Sequence, residues 1–197
     1  MITIDILEAV KNRRTIHLFK TEEVPEDLLL KIFDYASWAP THYLKQPWNV
    51  KVYQREGKKR FVEAILNSYE RIGMLDNEDE RKKEMMVQSI RKFLLHIPHH
   101  VLIYFPKPKD QIQYEEDYAS VCAFLQNAQL VGWKFNVGML WTITPYMHDP
   151  LFAEDIGIDN NKYKIAAVMQ VGYPKTVPEP KERIPIEEKL QFITRSW

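Results

Sequence analysis

Residues 117–141 read DYASVCAFLQNAQLVGWKFNVGMLW. From residue 112 to residue 135 there is no proline, and the one glycine is Gly132. Nothing there interrupts an α-helix, which at this length would be roughly 36 Å long. Its centre is apolar nearly all round rather than along one stripe, so it must be covered on every side. A chain of 197 residues makes one ordinary domain. Part of the cover is therefore expected from a second subunit. After this helix, VGMLWTI (137–143) and KIAAVMQVGY (164–173) read as buried strands, with a short helical piece near 151–156 between them.

Working back from the long helix, HVLIYF (100–105) is a continuous apolar run, typical of a strand covered on both faces. Pro98 closes a helix carrying Met85, Met86, Ile90, Phe93 and Leu94, and the charged run DNEDERKKE (76–84) before it reads as a solvated face. Phe61, Val62, Ile65, Leu66 and Tyr69 mark another helix, and WNVKVYQ (48–54) alternates as a strand. VPEDLLLKIFDYASWAP (24–40) is a helix opened by Pro25 and two acids and stopped by Pro40. TIDILEAVKNRR (3–14) puts Ile6, Leu7 and Val10 on one face of a short amphipathic helix, with Thr3 as candidate cap. Prolines 174, 178, 180 and 185 keep the start of the tail extended. Helices followed by strands interleaved with helices imply an α/β or α+β domain without repeat or linker.

Lys plus Arg (27) balance Asp plus Glu (27), so no bulk field draws the chain to nucleic acid or membrane. The single cysteine, Cys122, excludes an internal disulfide framework. The start lacks the apolar core of a signal peptide, and no run of about 18 apolar residues occurs. A cytoplasmic protein without membrane or nucleic-acid partners is expected. The glycines at 57, 73, 132, 138, 157 and 172 are too scattered for GxGxxG or a P-loop. His96, His99 and His100 have ligand-like spacing, but Pro98 interrupts them and no HExxH supports them, so polar capping is expected and no metal site. No GxSxG occurs, Cys122 sits mid-helix in an apolar setting, and Glu115, Glu116 and Asp117 read as favourable charge near a helix start. No catalytic side chain is expected.

Two basic groups remain. NRRTIH (12–17) collects Arg13, Arg14 and Thr15, and PKERIP (180–185) places Lys181 and Arg183 in extended chain. Each alone reads as helix-end charge or a solvated tail. Brought together, their guanidinium forks and ammonium would form a phosphate site.

Four segments in order resemble the nitroreductase family of FMN-dependent oxidoreductases. RRTIHLF (13–19) is similar to the family's RR[ST]xRxF, and WAPTHYLKQPW (38–48) to its AP[ST]xxxxQPW loop. Residues 117–141 resemble its central helix with a QNxxLxA core and the following GxGxxW strand. IAAVMQVGYPKTVPEPKERIP (165–185) resembles its (I/V)GyP strand and the K/R-x-R-x-P beyond.

The resemblance implies a single α+β domain over 1–197, a three-layer α/β/α sandwich. It would have a central mostly antiparallel sheet, a variable helical insert at about 70–95 and an extended C-terminal arm at about 174–197. It implies FMN with its phosphate and ribityl chain on Arg13, Arg14 and Thr15, Lys181 and Arg183 closing on the same phosphate, and Arg91 as a polar contact. Trp141, Thr142, Ile143 and Thr144 would run beside the isoalloxazine, a backbone N–H reaching N5. The loop with Pro40, Thr41, His42 and Gln46 would come from the other subunit of a homodimer with FMN in the interface. His17 stands where the family has Arg or Lys, so charge there follows pH. Leu44 stands where many members have Asn, which passes the polar contact to His42, as in members reading APxH. The implied activity is ping-pong: NAD(P)H binds transiently and delivers hydride to flavin N5, and an electron-poor small-molecule acceptor, a nitroaromatic, quinone or similar, then takes its place. The alternatives are a flavin-degrading or dehalogenating enzyme of the same fold and a non-catalytic flavin-binding protein.

Overall fold

The computed structural model describes residues 5–77 and 79–194. The apolar runs become the middle of a four-stranded sheet. Its strands are β1 (Asn49–Tyr53), β2 (His99–Pro106), β3 (Gly138–Thr142) and β4 (Tyr163–Gly172), ordered β1-β2-β4-β3 with every neighbour antiparallel. The two central strands, β2 and β4, are apolar on both faces because helices cover both. Val101, Ile103 and Phe105 of β2 pack with Ala167, Met169 and Val171 of β4 under α2 (Glu26–Ala36) and α5 (Gln111–Lys134). Leu102 and Val168 face the opposite layer, formed by α3 (Glu56–Arg71), α4 (Glu80–His96) and α6 (Pro150–Asp155). Three layers result, an α+β sandwich, as the resemblance implies.

Local chemistry sets the helix limits. Asp79 accepts the amides of Arg81 and Lys82 and opens α4, so the second half of the charged run forms its first turns. Asp110 accepts from the Gln113 amide at 2.8 Å while the Gln113 side chain accepts from Lys109 N, a reciprocal cap that opens α5. The expected helical piece near 151–156 begins at Pro150, with Asp149 as its cap, and follows a 3-10 turn over Pro145–His148.

Two helices keep part of their apolar surface uncovered within the chain. The apolar face of α1 (Ile6–Asn12) is not buried within the chain: Ile6, Leu7 and Val10 are more than half exposed and Ala9 alone is covered. Asp5 stands at its N-cap position without a side-chain cap hydrogen bond, and Thr3 lies outside the described residues. The long helix is covered mostly by its own chain: Val121, Phe124, Leu125 and Ala128 are buried. A stripe through Ala119, Cys122, Ala123, Gln126 and Leu130 keeps some exposure. The tail beyond Tyr173 leaves the sheet: Pro174 is partly covered, residues 175–194 are exposed, and its one regular piece among the described residues is a 3-10 turn over Ile186–Glu188.

Candidate flavin and phosphate site

The chain leaving α1 is strung along the free edge of β3. Thr15 bridges to Met139, Ile16 N donates to Met139 O at 3.1 Å, and Lys20 N donates to Tyr173 O at 2.8 Å. On the far side Lys175 N donates to Leu18 O at 2.9 Å. This close approach needs Gly138, since a Cβ there would stand 2.5 Å from Ile16 Cγ1. One extended segment thus carries Arg13, Thr15 and His17 past the point where the C-terminal arm leaves β4.

Charge from the second basic group reaches the first here. Arg13 is partly buried and donates to Gln129 Oε1 of α5 at 3.3 Å. Its pKa is held below the usual arginine value by burial, then by the charges of Arg14 and Arg183. No carboxylate pairs with Arg13, Arg14 or Arg183 among the described residues. Arg14 is braced on the carbonyls of Lys11 and Arg13. Lys181 lies two residues before Arg183 on the exposed arm. A cluster of guanidiniums without a counter-ion is suited to an anion such as phosphate.

The rest of the site lies along the end of β3. A cavity of about 310 Å³ is lined by Thr142, Thr144 and Gln170 at its polar side and by Tyr69, Ile90 and Phe93 on its apolar side. Through Met74 and Thr144 it adjoins an outer hollow of about 670 Å³ beside Ile143, Pro145 and Asp149. Through Phe93 it adjoins a groove of about 330 Å³ holding His17, Lys92, His96 and Lys175. Gln170 Oε1, on a residue lining this cavity, is buried without a hydrogen-bond partner, and so is Trp141 Nε1 on the opposite face of β3. Orphaned polar atoms of this kind are uncommon in folded chains and point to a ligand with polar edges. The arrangement suits a flat, largely apolar ring system with hydrogen-bonding edges.

Arg91 does not join this site within the chain. Its guanidinium makes a two-point ion pair with Glu63 of α3, at 2.8 and 2.9 Å. The next residue, Lys92, turns instead into the groove with His17. The sequence pattern gives no sign of Lys92, Lys175 or Gln170 and marks His96 only as a capping residue. Lys92 differs from Arg91 by one helical step, about 100° of rotation, whereas no local pattern marks a strand glutamine.

The loop after α2 is seated elsewhere. His42 Nδ1 lies 2.8 Å from Glu116 Oε2, and Lys45 Nζ donates to Asp117 Oδ1 at 3.2 Å. Tyr43, Leu44 and Gln46 hold φ near +50°, and the buried Thr41 hydroxyl has no partner. Glu116 precedes Gln129 by thirteen residues of α5, about 20 Å along its axis. Pro40, Thr41, His42 and Gln46 therefore lie at the opposite end of α5 from Arg13.

The histidine triplet is divided between α4 and β2. His99 Nε2 accepts from Val24 N at 2.9 Å, and His100 Nε2 donates to Leu94 O at 2.9 Å. Burial pushes both pKa values down to about 4. No group of three potential metal ligands occurs among the described residues. Burial pushes the Cys122 thiol up, away from the reactive thiolate.

Residues 10–173 match the nitroreductase family. The crystal structure of a nitroreductase-like family protein from Bacillus cereus superposes with a TM-score of 0.85, at 36% identity and 98% coverage of both chains. YfhC of Bacillus subtilis, whose name gives it provisionally as an NAD(P)H nitroreductase, is 27% identical across 93% of this chain and 91% of its own length. The FMN-dependent nitroreductase NfnB of Mycobacterium smegmatis, solved with NADPH, shares the fold at a TM-score of 0.71 and 17% identity, covering 96% of this chain and all of its own. By this match and by the geometry of its β3 edge, the chain belongs to the nitroreductase family.

Proposed function

We propose that the chain is an FMN-dependent oxidoreductase, taking hydride from NAD(P)H and passing it to an electron-poor small molecule such as a nitroaromatic or quinone. The observations that carry this reading are the charge of Arg183 acting on Arg13 beside Arg14, with no carboxylate paired to any of them among the described residues, and a cavity in which Gln170 Oε1 has no partner. FMN fits this site in its chemistry, a phosphate for the guanidiniums and a flat ring with polar edges for the cleft. When bound, it supplies the two-electron carrier that no side chain here could provide. Arg13, Arg14, Thr15, Lys181 and Arg183 hold the phosphate end, and Thr142, Ile143 and Thr144 line the ring. Lys92 brings positive charge to the groove at the ring's side, next to His17. Exposed Ile143 and Pro145 leave one face of the cleft open, as alternating occupancy by reductant and acceptor requires. Trp141 packs against the core while its indole N–H stays unpartnered.

A homodimer completes the site. The uncovered faces of α1 and α5, together with exposed Trp38, Tyr43 and Leu44, supply the apolar surface for it. Two α5 helices crossing about a two-fold axis would bring the 40–46 loop of one subunit to the Arg13 end of the other. No helix of the described residues is long and apolar enough to cross a membrane. A reducing cytoplasm suits the lone thiol.

FMN titration tests the phosphate end. Arg13→Ala and Arg183→Ala should each weaken FMN binding roughly 10- to 100-fold, the worth of one charge-assisted contact. Unchanged affinity in either removes that residue from the site. Steady-state kinetics should give parallel double-reciprocal lines for NAD(P)H and a quinone; intersecting lines would contradict the ping-pong order.

A further inference from the structure

The loop at 40–46 has an unfavourable backbone that something must hold. Tyr43, Leu44 and Gln46, none of them glycine, sit at φ of 52°, 55° and 47°. Such residues cost on the order of 1 kcal/mol each unless their surroundings over-determine them. Two adjacent carboxylates of α5 provide the restraint. Asp117 is buried and takes Lys45, with Gln113 Nε2 also donating to it at 3.4 Å. Glu116 takes His42 at 2.8 Å, and the imidazole stacks on Tyr43 with ring centres 4.2 Å apart. Trp38, Tyr43 and Leu44 are then displayed outward, each more than four-fifths exposed.

The two clamps differ in chemistry. Lys45 is a mobile point charge that holds position alone. An ionised carboxylate can only accept, so Nδ1 of His42 must carry the proton that faces Glu116. This fixes the ring's rotation and tautomer together and leaves Nε2 as the one nitrogen available to a bound molecule, the pattern by which second groups orient histidines elsewhere. We propose that Glu116 is a positioning residue for the flavin site. It holds His42 with Nε2 presented to the flavin bound by the opposite subunit, and it holds the loop in its left-handed shape. The inference rests on the proposed dimeric FMN site, but the clamp itself is a property of one chain.

The test separates the two. Side-chain ¹⁵N spectra of the protein stripped of FMN should show His42 protonated at Nδ1, and the backbone amides of 41–46 should be protected from hydrogen exchange. In Glu116→Gln, whose amide can donate as well as accept, the Nδ1 preference should disappear and exchange at 41–46 should quicken at least 10-fold. FMN affinity should fall about 5- to 20-fold, and Glu116→Asp should restore most of each effect. A Glu116→Gln protein with unchanged His42 spectra and exchange would overturn the clamp. Altered spectra and exchange with unchanged FMN affinity would overturn the positioning role and leave the flavin assignment standing. Failure of the parent protein to bind FMN would instead overturn the proposed function.

Discussion

Lowering the pH from 7 to 5 should destabilise this protein through two buried histidines. His99 and His100 lie side by side on β2, both essentially inaccessible to water. His99 Nε2 accepts from the Val24 amide, so a proton there would break that bond, and His100 is enclosed with its Nε2–H already given to Leu94 O. Burial holds both near pKa 4, against 6.5 for an imidazole in water. The unfolded chain therefore binds more protons between these values. The contribution of the neutral rings is complete above pH 6.5 and is lost as pH falls towards 4. At pH 5 an unfolded imidazole is almost wholly protonated and a folded one almost wholly neutral, a difference of about 2 kcal/mol per histidine. Both together amount to about 4 kcal/mol, a large share of a typical domain's stability. Urea unfolding at pH 7 and pH 5 measures the loss. His99→Gln retains an acceptor for the Val24 amide without titrating, so it should remove about half of the pH dependence. The same loss in parent and variant would refute the assignment to His99.

Other expectations follow from single contacts. Gly138→Ala should cost about 1–3 kcal/mol in urea unfolding, because the added methyl meets Ile16 at 2.5 Å and Pro174 at 3.0 Å. It should also weaken FMN binding, because the displaced segment carries Arg13 and Thr15. Asp149 caps α6 through the Leu151 amide and pairs with Arg71 at 2.7 Å, so Asp149→Ala should cost about 2–4 kcal/mol. Asp149→Asn, which keeps a capping oxygen, should cost visibly less. Equal losses in the two would place the whole effect in the ion pair.

The fold was legible where hydrophobicity ran long. The proline-free stretch through residue 135 became α5 (Gln111–Lys134), and the apolar runs became β2 and β4. The pattern marked α1 but not what covers it: Ile6, Leu7 and Val10 have helical spacing and stay more than half exposed within the chain. The basic residues of 13–14 and 181–183 were readable as two groups but not as neighbours, because the path of the 15–20 segment along β3 and the start of the C-terminal arm is set by tertiary pairing. Glu116 and Asp117 read as helix-start charge, although their partners lie more than seventy residues earlier. Gln170 carries no motif, and only its missing partner in the folded chain marks it. Arg91 matched a family position in sequence, yet Glu63 occupies it in the structure.

The most direct measurement is anaerobic titration of the purified, FMN-reconstituted protein with NADPH and NADH, followed in the visible flavin band. A yellow protein that bleaches with either nucleotide and regains its colour on adding a quinone is the predicted result. A protein that stays colourless after incubation with FMN, or a flavin band that neither nucleotide reduces, would contradict the account.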